Sequence, residues 1–293
     1  MSPLRQRMIE DLKLRNYSPK TIDCYVRHVA RFAEYFGRSP EELGPEEIRR
    51  YQIYLAEERG VGWSTFNQTV CALRFLYGTS LGRPERIEQI PFTKKPQRLP
   101  VVLSRQEVES LIACISHPLY RTIVMLMYGT GLRISEALAL HVADVDSSRM
   151  VIHVRSGKGN KDRIVPLSRR LLEQLRAYYR TRRPSKLLFA TPGSDRPPLP
   201  ETVGRAIKRA ASAAGIRKAV SCHSMRHCFA THLLEANVDI VTIQKTLGHR
   251  YLATTARYTR VTRQRIQELP SPLDLMSMNP PVRRDGAADW TSD

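Results

Sequence analysis

The chain has 293 residues, 47 Lys and Arg against 28 Asp and Glu, and a formal net charge of +19. That length predicts about two domains and a full core without disulfide or metal staples, and a hydrophobic fraction of 42% excludes a fully disordered polyelectrolyte. The longest apolar run, residues 123–128, falls far short of the ~20 residues of a membrane span, and the opening Met1-Ser2-Pro3-Leu4-Arg5 lacks the apolar core of a signal peptide, so a cytoplasmic protein is expected.

In chain order, a short helix is predicted over residues 4–14. Ser18 and Pro19 then form an N-cap and an N1 proline. Ile22, Tyr25, Val26, Val29, Phe32, Ala33 and Phe36 follow at helical spacing, and Gly37 ends the segment. Pro45 opens a helix carrying Ile48, Tyr51 and Leu55, and Ser64 is read as the cap of another, with Phe66, Val70, Leu73 and Tyr77 on one face. Residues 1–82 are thus expected to be a four-helix domain. Pro84, Pro91, Pro96 and Pro100, among Lys94, Lys95 and Arg98, resist helix and predict a linker over residues 83–100.

The second domain, residues 101–269, opens on Ser104-Arg105-Gln106-Glu107, a capping box. An apolar helix over 118–128 is followed by a Gly129-Thr130-Gly131 turn and a short helix holding Arg133 and Glu136. Val151, Ile152 and Val154 predict a strand. Gly157-Lys158-Gly159-Asn160 is turn chemistry, and Arg163-Ile164-Val165 would be the return strand of a hairpin. Helices are expected near 168–181, 200–214, 223–236, 239–247 and 254–266. Residues 270–293, with four prolines, read as a loose tail. The predicted fold class is mainly α, in two domains, with a small antiparallel β-sheet or hairpin in the second.

The charge is unevenly held. Residues 1–100 carry 17 basic and 12 acidic side chains, residues 101–269 carry 28 and 12, and residues 270–293 carry 2 and 4. The excess belongs to the second domain, as a polyanion-binding domain requires, and its preponderance of Arg favours forked phosphate contacts. The five cysteines contain no CxxC pair and indicate neither a disulfide framework nor a zinc module. His223, His227 and His232 cluster with Cys222 and Cys228, but no Glu follows His223 as in HExxH, so a metal site is disfavoured there. His227 is read as packing beside the site.

Five segments carry the chemistry. They are Gly131-Leu132-Arg133-Ile134-Ser135-Glu136, Gly157-Lys158-Gly159-Asn160-Lys161, His223-Ser224-Met225-Arg226-His227, Leu247-Gly248-His249 and Thr255-Ala256-Arg257-Tyr258. In this order the chain resembles the tyrosine site-specific recombinases, or phage-type integrases, and among them the Xer-like members. Any one motif is weak; all five in order, with Tyr258 nine residues after His249, are specific. No helical insertion of the integron-integrase kind is evident between Leu188 and His223.

The residue types suit the reaction that the resemblance implies. Two guanidiniums, Arg133 and Arg226, can clamp the non-bridging oxygens of an attacked phosphodiester as charge develops there. Glu136, three residues after Arg133, can orient a guanidinium or form a plain helix salt bridge. Tyr258 is the implied nucleophile, with Tyr251 its rival; a phenol of pKa ~10 must lose its proton, and His223 can take it. The resemblance assigns Lys158, with Lys161 as rival, to protonation of the leaving 5′-oxygen, and gives His249 a hydrogen bond to phosphate. It further implies a two-domain DNA clamp, catalysis without metal or nucleotide cofactor, double-stranded DNA sites with inverted-repeat arms, and a tetramer exchanging strands through a four-way junction. The lack of a Gly-rich P-loop agrees with the cofactor expectation. By the same resemblance Val261, Ile266 and Leu269 are expected to dock on a neighbouring protomer, the alternative being packing on their own domain. A type IB-like topoisomerase and a DNA-binding protein without catalysis are the alternatives. The small helical first domain argues against one, and the complete residue set argues against the other.

Overall fold

Serine–proline pairs start the first helices, because the serine supplies an acceptor and the proline needs none. Ser2 caps helix α1, Pro3–Leu14, by accepting from the Arg5 amide, and Ser18 caps α2, Pro19–Phe36, by accepting from the Thr21 amide. Helix α3, Pro45–Ile53, is closed at its start by the Glu47 carboxylate, which accepts from the Gly44 amide at 2.7 Å. Here and throughout the structure is a computed structural model, describing residues 2–83, 90–94, 100–155, 162–191, 193–249, 251–256 and 258. The chain divides into two compact units, Met1–Arg98 and Leu99–Asp293.

In the first unit, α3 runs into a π-helical turn, Tyr54–Glu58, and α4, Trp63–Phe75, into another, Leu76–Ser80. The expectation for Ser64 is corrected. Gly62 keeps the extended backbone of an N-cap, and Ser64 already lies in the first turn. The core joins Met8, Leu12, Phe32, Ile48, Leu73 and Leu76, and the buried Tyr77 hydroxyl donates to the Pro40 and Leu43 carbonyls. Part of the expected linker belongs to this unit. Ile90 is in its core, the Gln52 amide donates to the Pro91 carbonyl, and Asn67 bonds the backbone of Thr93 in both directions.

The second unit contains α5, Arg105–Ala113, α6, Pro118–Thr130, and α7, Ile134–Leu138, then a three-stranded sheet. Its strands β1, Val145–Asp146, β2, Val151–Val154, and β3, Arg163–Pro166, pair antiparallel in the order β1-β2-β3. The register sets Ile152 opposite Val165 and Val154 opposite Arg163. The hairpin is thus present, and β1 adds a strand too short for any sequence period. Helices α8, Arg169–Arg182, α9, Pro200–Ala213, α10, Cys222–Glu235, α11, Ile240–Leu247, and α12, Leu252–Ala256, complete the described chain. Two expectations shift. Thr130 ends α6 instead of forming a turn, and Arg133 is the extended N-cap of α7, not a residue within it. The docking residues Val261, Ile266 and Leu269 and the tail 270–293 lie outside the described residues. No described helix is long and apolar enough to cross a membrane.

Helix α10 holds this unit together. Met225 and Cys228 face the main core with Ile123, Met127, Leu138 and Ile207. Phe229, Ala230 and Leu234 face a smaller cluster with Ile243, Leu247 and Tyr258. With both sides of the helix covered, a charge buried in it needs partners.

Candidate active site

Arg226 is that charge, 1% exposed in the middle of α10. Its partners are helix ends. Nη1 donates to the Gly131 carbonyl and Nη2 to the Leu247 carbonyl, both at 2.6 Å. Gly131 caps α6 and Leu247 closes α11, so the guanidinium fills acceptors that a helix C-terminus leaves without an amide, at its negative end. Burial pulls this guanidinium down, Arg133 adds to that, and Glu136 and Tyr258 oppose it, to about 10; it stays cationic at neutral pH.

Gly131 has to be glycine. Its φ is +68°, and a Cβ there would lie 2.5 Å from Phe229 Cδ1 and 2.7 Å from Leu247 Cδ2. The left-handed cap turns the chain so that Leu132 enters the core and Arg133 emerges, 24% exposed at its side chain.

Glu136 is the hub. Its Oε1 accepts from Arg133 Nη1 at 2.8 Å, and its Oε2 from the Arg133 amide at 2.9 Å. Arg163, absent from the sequence-derived set, forks onto the same carboxylate, Nη1 to Oε1 at 3.0 Å and Nη2 to Oε2 at 2.8 Å. Arg226 Nη1 lies 4.0 Å from Oε2, beyond a hydrogen bond. Burial alone would raise the Glu136 carboxyl. The Arg163 fork, the Arg133 amide and the two guanidinium charges outweigh it and hold the group at about 2. Three guanidiniums around one carboxylate leave the patch positive, as an anion site needs.

The second group gathers beside α10. His223 and His227, one turn apart, meet edge to face at 4.7 Å. The Tyr258 hydroxyl lies 3.0 Å from His227 Nδ1, with the tyrosine 1% exposed, and its ring is near-parallel to His249 at 6.5 Å. His249 follows the left-handed Gly248, and its Nδ1 lies 2.9 Å from Thr255 Oγ1 on α12. Tyr251 is instead 63% exposed. His232 is used elsewhere, by the Tyr128 hydroxyl and the Leu103 carbonyl, and Cys228 accepts from the Leu103 amide. Among the described residues no three His, Cys, Asp or Glu gather as a metal site. Lys158 and Lys161 lie outside the described residues.

Of the sequence-derived residues, Arg133, Glu136 and Arg226 thus come together; His249 lies along the Tyr258 ring, and His223 is linked to Tyr258 only through His227. His227 was expected to pack beside the site, and it contacts the phenol itself. A signal for Arg163 does exist in the sequence. It shares strand parity with the buried Val165, whereas Ile164 points outward.

Residues 101–265 match the phage integrase family, and residues 4–86 match the N-terminal SAM-like domain of phage integrases. The chain belongs to the phage integrase family of tyrosine recombinases. This recombinase is 44% identical, over 96% of its length and 92% of the relative, to y4qK of Sinorhizobium fredii, to which an integrase/recombinase role is ascribed. It is 40% identical to the tyrosine recombinase XerA of Thermococcus onnurineus, over 88% of this chain and 90% of that one. Among solved structures it resembles a XerA recombinase, with 32% identity, a TM-score of 0.53 and coverage of 90% and 95%. The fold is shared with XerH bound to a difH substrate after cleavage, at a TM-score of 0.70 and 24% identity over 87% and 80% of the chains. The recombinase is therefore Xer-like.

Proposed function

We propose that this recombinase cuts one strand of a DNA site with Tyr258, forming a 3′-phosphotyrosyl link and freeing a 5′-hydroxyl. A 5′-hydroxyl from a partner duplex then attacks the phosphotyrosine, expels the Tyr258 phenol and reseals the exchanged strand. Bonds broken and formed balance, so no external energy source is required. Arg133 stabilises charge on the non-bridging oxygens, and so does Arg226 once DNA binding uncovers its guanidinium. Glu136 orients Arg133, His223 takes the phenolic proton, His249 bonds a phosphate oxygen, and Lys158 protonates the departing 5′-oxygen. The observation that carries the reading is the convergence on α10: it holds Arg226 under the Arg133–Glu136 pair and, one residue on, His227 against the Tyr258 hydroxyl.

Tyr258 is buried. Attack therefore requires DNA binding to uncover its hydroxyl and break the His227 contact. The domains are read as residues 1–82, a linker over 83–100 whose Ile90–Lys94 part packs on the first domain, a catalytic domain over 101–269 and a tail, both domains gripping one duplex. Four protomers would hold two duplexes with inverted-repeat arms and exchange strands through a Holliday junction. The test is a plasmid carrying two copies of the candidate site, taken from the DNA flanking the gene. Recombinant circles are expected, with or without a chelator. Relaxed plasmid without recombinants would point to topoisomerase action, and binding with no strand breakage would refute the reaction.

A further inference from the structure

We propose that Arg163 is a positioning residue for strand cleavage, holding the Arg133 guanidinium and the His249 turn in one arrangement. The proposal rests on the reading of Arg133 and His249 as phosphate-binding groups.

The Glu136 carboxylate accepts hydrogen bonds through two oxygens. Its four acceptor sites are all used, two by Arg133 and two by Arg163. Helix α7 is only five residues long, so Arg133 at its cap gets little orientation from the helix itself. The parallel Arg163 fork fixes the plane of the carboxylate, and the carboxylate in turn fixes Arg133. Arg163 does more than close a salt bridge. Its Nε donates to the Thr246 carbonyl at 3.0 Å, in the last turn of α11. Its Cδ lies where Gly248 leaves room, 3.1 Å from where a Cβ would sit. Gly248 immediately precedes His249. Arg163 also starts β3, paired with Val154, at the base of the hairpin whose loop contains Lys158. One side chain, 11% exposed, thus joins the elements that deliver three of the five motifs. Only arginine supplies a fork and a third, divergent donor; lysine offers a point charge on a flexible stem.

The test is single-turnover cleavage of a nicked duplex by wild type, Tyr258→Phe, Arg133→Lys, Arg163→Lys and the Arg133→Lys/Arg163→Lys double variant, with duplex affinity and thermal unfolding measured alongside. Arg163→Lys should slow cleavage roughly 100-fold, the scale of a misplaced catalytic group, with duplex affinity unchanged and the protein folded at the assay temperature. In the Arg133→Lys background the same change should cost clearly less than in wild type, because a large part of its effect passes through Arg133. Should Arg163→Lys unfold, Arg163→Gln removes the same fork with a neutral polar side chain, leaves the Arg133–Glu136 contacts in place, and should show the same selective loss. Wild-type cleavage by Arg163→Lys, a drop that tracks affinity or unfolding, or fully multiplicative losses in the double variant would overturn the proposal. Failure of wild type to form an adduct at Tyr258 would instead overturn the reading on which it rests.

Discussion

Glu136 sits among three guanidiniums, and its ionisation is tied to folding. Its folded value of about 2 lies below its ordinary 4.5. The stabilisation is therefore complete above pH about 4.5 and is lost as pH falls toward 2. A shift of this size is worth about 3 kcal/mol. Urea unfolding of wild type and Glu136→Gln should show a wild-type advantage near neutral pH that shrinks by about this amount on acidification to pH 2. A pH-independent difference would contradict the assignment. Gly131→Ala is expected to lower stability by about 1–3 kcal/mol in the same assay, because its Cβ has no space between Phe229 and Leu247 and its φ is positive. Part of the cluster that the structure gathers was legible from motif order, since Arg133, Arg226, His249 and Tyr258 stand at recognisable spacings. Arg163 was legible only as an inward-facing strand residue and not as part of the site, because one arginine among 28 basic side chains of its domain carries no motif. Its role depends on β3 bringing it back to a carboxylate 27 residues earlier.

At the scale of elements, helices with an apolar stripe and a side-chain cap were readable, as Ser18 with Pro19 and Ser104 with Glu107 show. The π-helical turns after α3 and α4 were not, because their longer hydrogen-bond step leaves no distinct apolar period. Strand β1 is two residues long and exists only through its pairing with β2. Helix α10 shows a different limit: covered on two sides, it has little amphipathic signal, and the burial of Arg226 follows from the helix ends it meets. The segment Ile90–Lys94 reads as extended linker, yet Asn67 imitates a neighbouring strand for it, accepting from the Thr93 amide at 2.9 Å and donating to its carbonyl at 3.0 Å. Asn67→Ala should therefore speed amide hydrogen exchange at Thr93 while α4 keeps its protection. Unchanged exchange at Thr93 would mean that other contacts hold the segment.

For the whole molecule, the +19 charge concentrates in the second unit, where Arg133, Arg163 and Arg226 account for a small part of it. The remainder is available to the flanking phosphates of a duplex, and counterion release makes such binding strongly salt-dependent. If roughly 6–10 phosphates are neutralised, affinity should fall about a thousandfold or more between 50 and 200 mM salt. A nearly flat dependence would assign the charge to another use. In the proposed reaction charge supplies affinity and one phenol carries the chemistry. The most direct measurement is to trap the protein on a nicked duplex carrying its site, digest the denatured adduct and identify the modified peptide by mass spectrometry. The predicted result is a 3′-phosphate esterified to Tyr258, a free 5′-hydroxyl on the released strand, and no adduct from Tyr258→Phe; an adduct on any other residue, or one that survives that substitution, would contradict the account.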